Sequence, residues 1–75
     1  MDEKILKIAE EVIKIPREEC LQHYKELPEI GAFYFWNPIR GGLSVIIDKD
    51  GTKLVATSAV SFEKHVDVFK SGKRN

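Results

Sequence analysis

The chain opens with apolar residues at Ile5, Ile8, Ala9 and Val12, the i, i+3, i+4, i+7 spacing of one helix face. Lys4, Lys7, Glu10, Glu11 and Lys14 fill the opposite side, so the pattern predicts a helix over about residues 3–14 with Asp2 as its N-cap. Pro16 ends that helix, because its ring disfavours helical geometry at Ile15. Pro16 also suits the first position of a second helix, where a missing N–H is no loss and the carboxylates of Glu18 and Glu19 sit near the positive end of the dipole. Leu21, Tyr24 and Leu27 would share the apolar side of that segment, and Pro28 and Gly31 close it.

From Ala32 the period changes. Ala32–Trp36 is aromatic and free of charge, Leu43–Ile47 is rich in β-branched residues, and Leu54–Thr57 continues the pattern, which predicts three strands. Asp48-Lys49-Asp50-Gly51 between the second and third reads as a hairpin turn in which Gly51 takes positive φ. The stretch Asn37–Gly42 is short enough to join antiparallel neighbours, so the strands form a meander. Ser61 then reads as the N-cap of a closing helix with Phe62, Val66 and Phe69 inward, His65 beside them and Gly72 as its left-handed stop. Lys70, Lys73 and Arg74 sit where the helix dipole favours cations, and residues 71–75 read as a frayed basic tail.

The expected architecture is α+β. One or two N-terminal helices and one C-terminal helix pack on one face of a three-stranded antiparallel meander, in the order α-α-β-β-β-α. Its 75 residues form a single domain near the lower size limit for a fold held by its hydrophobic core alone. The 43% apolar and 32% charged residues match an ordinary globular surface and core rather than disorder.

Formal net charge is zero, but residues 1–30 carry about minus three and residues 31–75 about plus three. That imbalance is too small for a dedicated phosphate-binding face, so nucleic acid is an unlikely partner, while it permits pairing of copies or docking to another protein. Cys20 is the only cysteine, which excludes an internal disulfide and thiolate-pair metal sites and favours a reducing, cytoplasmic setting. No stretch resembles a secretory signal or a membrane span.

Candidate chemistry is sparse. Cys20 and His23 lie three apart on the presumed second helix and could touch, yet no residue pattern marks an orienting group or an oxyanion site, and a half-buried cysteine beside a surface histidine is the simpler reading. Asp48, Asp50 and Gly51 resemble the opening of a calcium loop, but Lys53 and Leu54 follow where further oxygen ligands belong. His23 and His65 lack the short spacings of zinc ligands. No enzyme activity, metal or cofactor is therefore expected.

Phe33, Tyr34, Phe35 and Trp36 carry more information, being four of the seven aromatic residues in one run. Strand alternation sends Phe33 and Phe35 to one side and Tyr34 and Trp36 to the other. With the phenylalanines in the core, Tyr34 and Trp36 would form an amphipathic platform near Asn37, Arg40, Gly41 and Gly42, on what a three-stranded meander makes an edge strand. Internal packing under helices on both faces, or under the 37–42 loop, competes with that reading. The Arg40-Gly41-Gly42 step could also offer amides and a guanidinium to an anion or nucleotide, although a strand rather than a helix follows the glycines.

The run from Gly31 to Gly51, with Ala56-Thr57-Ser58 and the ending Phe69 to Arg74, resembles small uncharacterised bacterial proteins and, more distantly, one class of immunity proteins of polymorphic toxin systems. The resemblance implies a leading helix, an aromatic first strand, a hairpin and a short closing helix, and it assigns no residue a role. The resulting expectation is a non-enzymatic protein-interaction module, homodimeric through its aromatic strand or immunity-like. The alternative is a small anion or nucleotide binder at Arg40 to Gly42.

Overall fold

The computed structural model describes residues 1–75 and has the order α1 (Glu3–Ile13), α2 (Arg17–Cys20), β1 (Tyr24–Leu27), β2 (Ala32–Trp36), β3 (Ser44–Asp48), β4 (Lys53–Ala56) and α3 (Phe62–Lys70). The class is α+β, as the periodicity implies, but the sheet has four antiparallel strands in the order β1-β2-β3-β4 rather than three. The additional strand is the segment read as the second half of a helix. Helix α2 stops at Cys20, and the chain from Tyr24 runs extended, pairing Tyr24 with Phe35 and Leu27 with Ala32. Pro28 and Gly31, taken for helix breakers, make a hairpin turn: Ile30 N–H donates to the Leu27 carbonyl at 3.1 Å, and Gly31 adopts φ +65°.

This strand changes the position of β2. It is internal, paired with β1 on one side and β3 on the other, so the expected aromatic edge does not exist. The helices are also divided between the two faces instead of sharing one. Ile5, Leu6, Ala9 and Ile13 of α1, with Cys20, bury Phe35, Val45 and Ile47 on one face, whereas Phe69 of α3 packs with Ala32, Ile46 and Leu54 on the other. Strand β3 is consequently apolar on both sides, and Val45, Ile46 and Ile47 are all fully buried.

The ends of α1 and α3 follow their sequence signals. Asp2 accepts from Lys4 N–H at 2.8 Å, and Ser61 accepts from Lys64 N–H at 3.1 Å. The inner stripe of α1 is rotated slightly from the expected one, with Leu6 and Ile13 buried and Ile8 and Val12 at its margin. The β3–β4 turn forms on Asp48 to Gly51, where Gly51 takes φ +93° and the Asp50 carboxylate accepts both the N–H and the hydroxyl of Thr52. Those two bonds hold the Asp50 carboxyl below its ordinary pKa.

The tail read as frayed is tied to the sheet. Arg74 lies over the Phe69 ring at 3.6 Å, bonds the Phe69 carbonyl at 2.9 Å and pairs with Asp48 at 3.3 Å. Asn75 runs beside β4 as a one-residue substitute for a further strand.

Candidate functional site

The two edges of the sheet are treated differently. Along β4, Asn75 N–H donates to the Lys53 carbonyl at 2.9 Å, its side-chain oxygen accepts Val55 N–H at 2.7 Å, and its side-chain nitrogen donates to the Val55 carbonyl at 3.2 Å. Along β1 nothing equivalent is present. Trp36 N–H donates to the His23 carbonyl, and by antiparallel alternation Lys25 and Leu27 also turn their backbone groups toward β2. Tyr24 and Glu26 therefore direct their N–H and C=O groups outward, and neither residue's backbone bonds to anything in the chain beyond the ladder.

A groove of about 400 Å³ runs beside this edge, between β1 with its following turn and α3. Its apolar floor and wall are Leu27, Ile30, Phe62 and Val66, all half-buried. The groove exists because α3 lies over β3 and β4 and leaves the β1 side of that face partly uncovered. Lys25, projecting from β1 toward α3, holds its ammonium 5.0 Å from the centre of the Phe62 ring.

The residues singled out in the sequence are placed as follows. Phe35 is fully buried on the α1 face, and Phe33 half-buried beside it. Tyr34 and Trp36 do point to the opposite face, but as an internal cluster rather than an open platform. Tyr34 meets Phe62 edge-on at 4.7 Å and His65 at 5.8 Å, and stacks on Trp36 at 5.5 Å. Trp36 is at the margin of the cluster, edge-on to His23. Helix α3 thus covers Tyr34, while Trp36 stays half-buried between Tyr34 and His23.

Asn37 and the glycines form a braced corner. Asn37 Nδ2 donates to the Ile13 carbonyl at 2.8 Å, its Oδ1 accepts Ile39 N–H at 3.1 Å, and Gly42 N–H returns to the Ile39 carbonyl. A Cβ on Gly42 would lie 2.8 Å from Asn37 Cβ, which explains the glycine sterically. Arg40 is exposed without an ion-pair partner, and a Cβ on Gly41 would meet open space, so the tip of the loop protrudes from the domain.

Cys20 and His23 are separated. The Cys20 thiol is buried against α1, 3.7 Å from the Ile15 carbonyl, and burial pushes its pKa up. The His23 ring engages the Glu19 carbonyl and Trp36. His65 is buried on the inner face of α3, with Nε2 2.8 Å from the Leu54 carbonyl and Nδ1 3.3 Å from the Ser44 hydroxyl, and desolvation lowers its pKa. A carbonyl can only accept, so Nε2 carries the proton of the neutral ring. No group of three or more histidine, cysteine or carboxylate side chains is placed to hold a metal ion. No helix is long and apolar enough to cross a membrane.

Comparison with known proteins returned no matching family model, no matching curated protein and no matching solved structure. The open β1 edge and its groove, which the reading of Tyr24–Leu27 as helix concealed, are accordingly the features from which a function has to be argued. The signal that could have exposed them is the Pro28 to Gly31 spacing, which suits a hairpin turn as well as a helix stop.

Proposed function

We propose that this chain is a non-enzymatic protein-interaction module that receives an extended segment of a partner along β1. The observation that carries this reading is the contrast between the sheet's edges: Asn75 bonds the Lys53 carbonyl and both backbone groups of Val55 on β4, while the backbone groups of Tyr24 and Glu26 face outward unpaired. Addition of a strand there would satisfy them and carry the partner's alternate side chains over the groove. Tyr34 and Trp36 support the groove wall through Phe62 instead of meeting the partner themselves.

The separation of Cys20 from His23 speaks for binding over catalysis. An immunity-like role would fit this reading, since such a protein acts by docking, and a toxin would be one partner of that kind. Association through β2 is replaced by association through β1, because β2 has both its edges filled.

Glu26→Pro tests the reading. It deletes an outward N–H and leaves the bonds of Lys25 and Leu27 to β2 in place, a substitution an edge strand tolerates. Octapeptides selected from a randomised library against the wild-type chain should lose at least about tenfold in affinity for Glu26→Pro, whose circular dichroism should match wild type. Equal affinity for both folded proteins would contradict docking along β1.

A further inference from the structure

The geometry points to a partner segment of defined chemistry: an extended stretch with an aliphatic residue seated against Leu27, Phe62 and Val66, flanked by lysine or arginine. This inference rests on the docking reading above and adds the identity of the side chains that the site selects.

Charge around the groove is one-sided. Glu29, Glu63 and Asp67 line it with Lys25 and Lys70, giving three carboxylates against two ammonium groups, while the Glu26 side chain, paired across the sheet with Phe33, turns to the α1 face. None of these five takes part in an ion pair within the chain, whose three salt bridges all belong to Arg17 and Arg74. Lys25 is held against the Phe62 ring, which leaves three carboxylates against the single ammonium of Lys70 as the unengaged charges of the rim. A basic segment would find acceptors on the turn after β1 and on α3 at once, and an acidic one would meet repulsion from both.

A second copy of the chain suits the edge poorly. In a two-fold antiparallel pairing that uses all four free backbone groups, Tyr24 lies opposite Glu26 of the other copy, and Lys25 then falls directly opposite its own equivalent. Like charges facing each other across such a pair are destabilising. The acidic rims of both grooves would also be brought toward each other, which argues for a different protein as the occupant.

The test uses the octapeptide selection in solution with the full chain. Selected peptides should carry a net positive charge, with lysine or arginine two positions from an aliphatic residue so that both face the groove. Their affinity should fall at least about tenfold for the double variant Glu29→Lys/Asp67→Lys and stay unchanged for Glu11→Lys, an exposed site on α1. Acidic or neutral peptides, or affinity indifferent to the double reversal, would overturn the inference. If such peptides still shift the amide signals of Tyr24 and Glu26, the docking reading survives and only the partner chemistry falls. If no peptide shifts them, both fall. A dimer in sedimentation at the selection concentration, with those amides already protected, would make a second copy the occupant and overturn the inference as well.

Discussion

Asn75 grips Val55 at both its backbone groups, accepting the N–H at 2.7 Å and donating to the carbonyl at 3.2 Å, so that one side-chain amide does what a neighbouring strand would do for β4. Replacing Asn75 by Ala should expose the Val55 N–H to solvent. We expect faster amide hydrogen exchange at Val55 and a stability loss of about 0.5–1.5 kcal/mol in urea denaturation, the usual range for exposed hydrogen bonds of this type. Unchanged exchange at Val55 would show that the contact is not populated in solution.

The corner after β2 makes a second expectation. Asn37 ties the loop to the last turn of α1 through the Ile13 carbonyl, and Gly42 lies where a methyl group would collide with Asn37. Gly42→Ala should therefore cost about 1–3 kcal/mol by forcing the backbone apart. Asn37→Ala should cost about 1–2 kcal/mol through the orphaned Ile13 carbonyl. Gly41→Ala combines open space with a φ of +76°, so any loss there reflects backbone strain alone. Urea midpoints of the three variants, compared with wild type, check the order.

Buried His65 couples stability to pH. The unfolded chain takes up a proton near the ordinary value of 6.5, and the folded chain only at a lower pH, because burial disfavours the charged ring. Over that interval the unfolded state binds more protons, so the contribution is complete above the unfolded value and is lost as pH falls toward the folded one. Urea unfolding at about pH 7.5 and about pH 5.5 should show wild type losing more stability than His65→Leu over the same interval. Parallel losses would place the effect elsewhere.

Cys20 should behave as a core residue. With its thiol buried and its pKa raised, reaction with a thiol reagent at mildly alkaline pH should be at least about a hundredfold slower in native protein than in denaturant. Rapid modification of native protein would contradict the packing of α2 against α1.

The parts of this fold that were legible in the sequence are those where local signals and burial agree. The helix α1, the Asp48 to Gly51 turn and the Ser61 cap each carry their own chemistry, and each forms, the apolar stripe of α1 with a slight rotation. Strand β1 was not legible, because Leu21, Tyr24 and Leu27 are spaced for a helix and the segment Tyr24-Lys25-Glu26-Leu27 has no β-branched residue. Its extended form is imposed from outside, by pairing with β2 and by the Pro28–Gly31 turn. The misplacement propagated: without β1, β2 looked like an edge and Tyr34 and Trp36 looked free.

A clue to helices on both faces was nevertheless present. Val45-Ile46-Ile47 is an unbroken apolar run, the pattern of a strand buried on each side, and it predicts cover over Tyr34 as well as over Phe35. The site itself was legible only in part. The aromatic run lies behind the groove through the contact of Tyr34 with Phe62, but the residues that face a partner in our account lie on β1 and α3.

The most direct test of that account is backbone amide hydrogen exchange across β1, with and without a saturating selected octapeptide. Strand addition requires an alternating response: Tyr24 and Glu26 gain protection on binding, while Lys25 and Leu27, already bonded to β2, do not change. Protection spread evenly along β1, or none at Tyr24 and Glu26 when the peptide is bound, would contradict docking at this edge.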